Sequence, residues 1–259
     1  MDRRVHRIWA KLLGPFAFQM NSSTRAVEYP WAFHVATLSP GMRVLELGGA
    51  LSGFQFVLAA SGARVTNVDP FFDYGVGPEK GLSPVTAHRR LNRAFRTDVA
   101  LRPTVLPDAR LAGESMDRAY CLSVIEHLPA DDRRIALREV NRVLKPGGLF
   151  VITVDLFVNL QPFTTRDRNQ WGTNVSVRQL ADEAQMALVW GEKSELLGFE
   201  GFRSDSILSN LDRYCLGADY PVLAQLLVLQ KPGGSSLAPA ELRGDVFGGG
   251  AHPRADAGC

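Results

Sequence analysis

The fold of this chain is decided by residues 44–69, which read VLELGGALSGFQFVLAASGARVTNVD. A short apolar run over 44–47 breaks at two glycines, a helical segment follows over 54–60, and a second β-rich run over 64–68 ends at Asp69. A strand, a glycine turn, a helix and a second strand within about thirty residues have the size of one βαβ unit. The stretch therefore predicts one such unit.

The segments that follow continue the alternation. Strand-like runs lie at 118–124 and 149–154, and a strongly helical segment over 131–143 separates them. Later segments add a helix over 177–188 and strands over 192–197 and 222–230. This alternation predicts an α/β fold, a doubly wound, Rossmann-like and mostly parallel sheet with helices on both faces.

The flanks of this core have a different character. Residues 1–41 form an N-terminal helical cap by their pattern, residues 42–231 form the main domain, and residues 232–259 are rich in Gly, Ala, Pro and Ser and are expected to be disordered. Two stretches without clear periodicity, Phe71 to Arg110 and about 156–174, read as irregular inserts.

Composition narrows the class of protein. A net charge of +2 over 259 residues gives no global indication of a nucleic-acid or membrane partner. The three cysteines are widely spaced and form neither a CxxC pair nor an even disulfide framework, which fits a reducing compartment. No apolar run approaches the ~20 residues that span a bilayer. We therefore expect a cytoplasmic protein that acts on a small molecule, and its oligomeric state stays open.

The glycine turn and Asp69 together predict a nucleoside site. In an open parallel sheet the ligand lies at the carboxyl ends of the strands, where the winding reverses. Glycines between Gly48 and Gly53 let the backbone approach a ligand, and a carboxylate at Asp69 can accept hydrogen bonds from both hydroxyls of a ribose. Ala50 stands where a dinucleotide fingerprint has its middle glycine, so the turn fits a ligand without a pyrophosphate better than it fits NAD.

Three further stretches identify a family. Met116-Asp117, then SVIEHL over 123–128, then VLKPGG over 143–148 before a strand, resemble the class I S-adenosylmethionine (SAM)-dependent methyltransferases, most of all the group that acts on small molecules. The resemblance covers roughly residues 42–155, with the motifs in the family's order. It implies SAM as the cofactor, methyl transfer as the reaction and residues 42–231 as the methyltransferase domain.

The resemblance also assigns cofactor-binding positions. The glycine turn would hold the methionine part of SAM, Asp69 the ribose, Phe71 and the pair Asp108-Ala109 the adenine, and Ser123 the region beside the sulfonium. The full set is Glu46, Gly48, Gly49, Ala50, Ser52, Asp69, Phe71, Asp108, Ala109 and Ser123. The family usually has glycine where this chain has Ala50 and Ser52, which predicts weaker binding or a reshaped turn.

His127 is the candidate general base, because it lies just past the fourth strand and its ordinary pKa suits proton transfer near neutral pH. It could instead order the loop. Asp155, at the end of the fifth strand, is the second catalytic candidate, for orienting substrate or accepting a proton. No metal is expected, because some relatives have a metal-binding acid where this chain has Ser123. His34 and His88 read as surface or packing histidines, and Tyr29 and Trp31 as pocket-lining or packing aromatics.

The function expected is methyl transfer from SAM to a small acceptor, with oxygen favoured, as a tailoring step of specialised metabolism. A SAM-binding protein that transfers no methyl group, cyclase-like or a scaffold, is the alternative from another class. An NAD(P)-dependent oxidoreductase is disfavoured, because the middle glycine and a Tyr-x-x-x-Lys pair are both missing from the sequence.

Overall fold

A computed structural model describes residues 14–18, 22–71, 83–214, 216 and 221–233. The α-helices are α1 (Arg25–Val35), α2 (Gly53–Ala60), α3 (Pro84–Phe95), α4 (Ala130–Val143), α5 (Val177–Ala184) and α6 (Ser204–Leu208). The strands are β1 (Arg43–Leu47), β2 (Arg64–Val68), β3 (Ala100–Arg102), β4 (Met116–Leu122), β5 (Leu144–Phe157), β6 (Ala187–Trp190) and β7 (Val222–Gln230). Short 3₁₀ helices lie at Pro15–Phe18, Leu106–Ala109, Ile125–His127 and Leu211–Arg213.

The strands form one seven-stranded sheet in the order β3-β2-β1-β4-β5-β7-β6. Strands β1 to β5 pair in parallel, and β7 lies antiparallel between β5 and β6. The order reverses between β1 and β4, so a crevice opens at their carboxyl ends. The predicted doubly wound, mostly parallel α/β fold is confirmed.

Helices cover both faces of the sheet. Apolar residues of α4 and α5 pack with one face of the strands, and those of α1, α2 and α3 pack with the other. Because side chains alternate across a strand, β4 sends Cys121 into the first cluster and Tyr120 into the second. Both faces are therefore dry, and the near-continuous apolar runs of the central strands follow from that.

Two local predictions are wrong. The stretch from Phe71 to Arg110, expected to be irregular, contains helix α3 and strand β3. The helical pattern of α3 is weak in the sequence because the helix buries only Ala87, His88 and Leu91 and exposes the basic residues that follow His88. The strand expected at 192–197 instead occupies Ala187–Trp190. Helix α5 stops early at Ala184, where Gln185 adopts a left-handed conformation, so the chain enters the sheet sooner.

The described part of the cap is helix α1, which packs on the sheet face covered by α2 and α3. Its anchor is Trp31, which is fully buried and lies with its ring centroid 5.2 Å from that of Trp190. The packing interpretation of Trp31 is confirmed. Residues 1–13 and the predicted tail beyond 233 lie outside the described residues. Among the helices that are described, none is long and apolar enough to cross a membrane.

We expect Trp31→Ala to lower the free energy of unfolding by about 3–5 kcal/mol, because it removes a large buried side chain and leaves a cavity under the cap. The matched control is Trp171→Ala, since Trp171 is 38% exposed and should cost less than about 1 kcal/mol. Urea denaturation of both variants checks this, and equal losses would show that α1 is not anchored through Trp31.

Candidate functional site

A cavity lies at the carboxyl ends of β1 and β4, beneath the cap helix α1. Its wall combines the glycine turn after β1, the end of β4 and two cap residues, namely Arg25, Tyr29, Glu46, Leu47, Gly48, Gly49, Ser52, Leu122, Ser123 and Val124. Five of the predicted cofactor-binding residues are in this wall: Glu46, Gly48, Gly49, Ser52 and Ser123. The cavity therefore lies at the point where the strand order of the sheet reverses.

The turn after β1 needs glycine at two positions for different reasons. Gly48 has a φ of 71°, in the left-handed region, and a Cβ there would lie 2.4 Å from a methyl carbon of Val124. At Gly49 a Cβ would lie 2.7 Å from the carboxylate carbon of Glu46. Ala50 also has a positive φ, 43°, but its backbone N–H is held by Asp69 Oδ2 at 2.8 Å. The turn thus accepts alanine only where a carboxylate fixes the backbone.

A buried polar network supports the same turn from below. Asn67 Nδ2 donates to the Ala50 carbonyl at 2.9 Å, and Gln55 Nε2 donates to the Ser52 carbonyl at 3.0 Å. His88 Nε2 lies 2.8 Å from Gln55 Oε1, and burial lowers the pKa of His88 to about 4. His88 is therefore a neutral packing histidine, as expected. The roles of Gln55 and Asn67 were missed, although a polar residue within an apolar helix or strand is a usable signal.

Glu46 is the acid of the cavity wall. Its side chain is buried, Oε1 accepts a hydrogen bond from Ser52 Oγ at 2.9 Å, and Oε2 has no hydrogen-bond partner among the residues that the structure describes. Burial, ahead of the opposing Ser52 bond and the nearby charge of Asp69, raises the pKa of Glu46 to about 8. A cationic ligand in the cavity would supply the missing partner and favour the ionised form.

The remaining predicted cofactor residues are placed less directly. Asp69 is buried, and its Oδ1 accepts the N–H of Phe71 at 2.7 Å in addition to the Ala50 bond. Phe71 is half-buried and packs against the cluster under α1 to α3. Asp108 is exposed on its 3₁₀ helix, and Ala109 packs against the α4 side. None of these four residues belongs to the cavity wall described above.

Cap helix α1 adds residues that the sequence did not single out. Glu28 is completely buried, and its Oε1 accepts hydrogen bonds from Ser123 Oγ and from Thr153 Oγ1 at 2.6 Å. Its Oε2 accepts one from Arg25 Nη1 and one from Thr24 Oγ1. The residue that follows β4 and a residue within β5 are thus joined to the cap through one carboxylate. The only sequence signal was a single acid in an otherwise aromatic and apolar turn.

Tyr29 is the cap aromatic that lines the cavity. Its ring stacks on Phe54 with centroids 5.6 Å apart, and the Arg25 guanidinium carbon lies 5.8 Å from its centroid. Burial raises the pKa of Tyr29 to about 12, so the phenol is neutral and remains a hydrogen-bond donor. The pocket-lining interpretation therefore holds for Tyr29 and not for Trp31.

The two predicted catalytic residues come together just beyond Ser123. Glu126, His127 and Asp155 each offer a ligand atom, and these atoms lie within 4.8 Å of one another. Glu126 Oε1 accepts the Asp155 backbone N–H at 2.8 Å, while Glu126 Oε2 is buried and has no hydrogen-bond partner in the described part of the chain. Burial and the adjacent Asp155 charge raise the pKa of Glu126 well above its ordinary value. With His127 exposed between solvent and two buried carboxyl groups, this acid–histidine cluster can accept a proton or contact a cation.

Part of the chain is similar in sequence to known methyltransferases. Residues 45–152 match the family described as a methyltransferase domain. An uncharacterised protein of Mycobacterium tuberculosis is 30% identical over 119 residues, which are 45% of this chain and 36% of that protein. A thiol S-methyltransferase of Rattus norvegicus is 38% identical over 107 residues, 41% of this chain and 39% of that protein. The chain thus spans less than half the length of these curated relatives.

Solved structures share the fold. The [4+2]-cyclase SpnF superposes with a TM-score of 0.58 at 15% identity, over 89% of this chain and 95% of SpnF. A geranyl diphosphate C-methyltransferase from Streptomyces coelicolor A3(2) superposes with a TM-score of 0.55 at 11% identity, over 80% of this chain and 76% of that enzyme. At these identities the likeness concerns the fold alone.

The raised pKa of Glu46 predicts a pH dependence of stability. The folded protein holds the Glu46 proton up to about pH 8, whereas the unfolded chain releases it near 4.5. The free energy of unfolding should therefore fall as pH rises across this window, with a Glu46 share of up to about 1.4 kcal/mol per pH unit. Glu46→Gln removes this share, so its urea-denaturation series from pH 5 to 8 should be flatter than the wild type's. Parallel series would contradict the assignment.

Proposed function

Residues 45–152 match the methyltransferase-domain family, and from this premise we propose that the chain is a class I SAM-dependent methyltransferase that transfers a methyl group from SAM to a small-molecule acceptor. The observation that supports the proposal most strongly is the cavity at the switch point of the sheet. Its wall contains Gly48 and Gly49, where a Cβ would not fit, and the buried Glu46 Oε2, which has no hydrogen-bond partner among the described residues. We place the reaction in the cytoplasm, where the cysteine pattern predicts the protein to be.

The residues present fit the cofactor. When bound, SAM supplies a methyl group on a positively charged sulfur, and it carries no phosphate that would need a basic cradle. Glu46 Oε2 would accept from the ammonium of its methionine part, and the Gly48–Gly49 backbone would pass close beneath that part. Asp69, at the carboxyl end of β2, would hold the ribose, because a carboxylate can accept hydrogen bonds from both ribose hydroxyls. The adenine roles of Phe71, Asp108 and Ala109 follow from the family resemblance alone.

The protein's part in the reaction is chiefly positioning. Methyl transfer is an in-line displacement, and holding the two reacting atoms in line supplies most of the rate enhancement. The cap residues Arg25 and Tyr29 close one side of the cavity, and Ser123 with Val124 forms the side toward the acid–histidine cluster. His127 accepts the proton that the acceptor heteroatom loses, and Asp155 orients the imidazole or the acceptor. The proton then passes to water, because His127 is exposed.

An oxygen acceptor is favoured by the presence of this base. An alcohol or phenol hydroxyl is a weak acid and gains from general-base help of roughly 10²–10⁴ in rate, whereas a thiol, with a pKa near 8.5, gains less. A thiol acceptor is the second candidate, supported by the similarity of this chain to the thiol S-methyltransferase of Rattus norvegicus. We also propose a role in specialised metabolism, because the sequences of the cap and of the 156–174 insert do not have a pattern typical of a housekeeping methyltransferase.

Cofactor binding is tested by titrating SAM, NADH and NADPH into the wild type and into Asp69→Asn by calorimetry. We expect micromolar binding of SAM alone to the wild type and at least tenfold weaker binding to Asp69→Asn, since the ribose loses a charged acceptor. Asp98→Asn, at an exposed position, is the matched control and should bind like the wild type. Heat from NADH without heat from SAM would overturn the proposal in favour of an oxidoreductase.

Methyl transfer is tested by following S-adenosylhomocysteine release with a panel of phenols, aliphatic alcohols, amines and thiols. We expect His127→Ala to lower kcat on an oxygen acceptor by about 10²–10⁴ and to leave SAM affinity unchanged, because His127 meets the acceptor's proton and not the cofactor. EDTA should have no effect if the cluster handles a proton. Turnover of thiols only would favour the second candidate, and turnover that EDTA abolishes would assign the cluster to a metal ion.

A further inference from the structure

The wall of the cavity contains one basic and one acidic side chain. Among the ten residues that line it, Arg25 is the one basic residue and Glu46 is the one acidic residue, which a cationic ligand group would convert to its ionised form. They come from different parts of the fold, since Glu46 belongs to β1 and Arg25 begins the cap helix α1. A ligand group that carries one positive and one negative charge would therefore find one carboxyl group and one guanidinium in the wall.

Arg25 is held for contact with such a group. Its side chain is only 17% exposed, and Nη2 lies 3.5 Å from the Ser123 carbonyl at the cavity wall. Its guanidinium lies over the Tyr29 ring, which keeps its plane in place. A guanidinium has five N–H donors in a fixed fork, and the bonds to Glu28 and Ser123 use two of them. The remaining donors match the two oxygens of a carboxylate.

Glu28 fixes where Arg25 stands. Its Oε2 accepts from Arg25, while its Oε1 accepts from the hydroxyls of Ser123, which follows β4, and of Thr153, which lies within β5. The cap cation is thus positioned by the sheet through one fully buried carboxylate. Because Glu28 is bonded to Ser123 and Thr153 of the sheet, its bonds also fix the rotation of α1 about its axis, and Arg25 lies one helical turn away from it.

We propose that Arg25 recognises the carboxylate of the amino-acid end of the cofactor, opposite Glu46, and that Glu28 is the positioning residue for Arg25. This inference rests on the proposed function and goes beyond it, because it assigns recognition of the amino-acid group to the cap rather than to the methyltransferase domain alone. The cap is then part of the cofactor site as well as its cover.

The test compares two ligands that differ by one carboxylate. S-adenosylhomocysteine carries the whole amino-acid group, and 5′-(3-aminopropylthio)-5′-deoxyadenosine keeps the ammonium and lacks the carboxylate. In calorimetric titrations we expect the wild type to prefer S-adenosylhomocysteine by about 10-fold to 100-fold, the range of one or two charge-assisted hydrogen bonds. Arg25→Gln should lose this preference and bind the aminopropyl compound as well as the wild type does. Arg25→Lys should retain part of it, since the charge stays and the fork is lost.

Two further variants complete the design. Arg89→Gln, at an exposed position of α3, is the matched control and should keep the full preference. Glu28→Gln keeps the side chain's shape and loses the ion pair, so its preference should fall between those of the wild type and Arg25→Gln. Thermal unfolding of each variant confirms that it is folded under the titration conditions.

The outcomes separate the inference from its premise. If Arg25→Gln keeps the preference for S-adenosylhomocysteine, or weakens both ligands equally, the inference is overturned while the proposed function stands. If Glu28→Gln weakens both ligands equally, Glu28 is a structural residue and its positioning role is overturned. If the wild type binds S-adenosylhomocysteine not at all, the proposed function fails, and the inference fails with it.

Discussion

The turn that ends β1 is the constraint on which the rest of the site depends. Gly48 takes a left-handed conformation and Gly49 leaves no room for a Cβ, so the backbone folds back over the Glu46 carboxylate. That carboxylate is buried for this reason, and burial is what raises its pKa. The Asp69 side chain, reaching from the end of β2, fixes the third residue of the turn. The cavity is therefore shaped by backbone geometry first and by side chains second.

A group of buried carboxyl groups is the second feature that determines the character of the site. Four carboxyl groups, those of Glu28, Glu46, Glu126 and Asp155, are buried around the carboxyl ends of β1, β4 and β5. Arg25 is the cation that interacts with this group of acids, and it is only partly exposed. Such a concentration of acids is costly in an apolar core unless it is hydrogen-bonded or neutralised. Its placement along one edge of the sheet suits a cofactor that brings a sulfonium and an ammonium to that edge.

The sequence predicted what is local. The βαβ unit, the glycine turn and Glu46 follow from short-range patterns, and the alternation of strands and helices predicts the mostly parallel sheet. The structure brings Glu126, His127 and Asp155 together because the carboxyl ends of adjacent parallel strands share an edge. Glu28 was not predictable, since its partners Ser123 and Thr153 are 95 and 125 positions away and nothing in a linear pattern pairs them. Helix α3 was not predicted because its exposed basic residues obscure its apolar periodicity. The exposed position of Asp108 was not predictable either, because it depends on the length of a loop that no local sequence pattern determines.

The reach of Glu28 along the chain has a consequence for biosynthesis. Contacts between such distant positions close long loops and form after local structure is in place. On the ribosome, α1 emerges early and waits for β5, which is made more than a hundred residues later. A nascent chain can therefore hold the first βαβ unit well before it holds a finished cavity. Competence to bind a ligand is therefore expected only after β5 has been made.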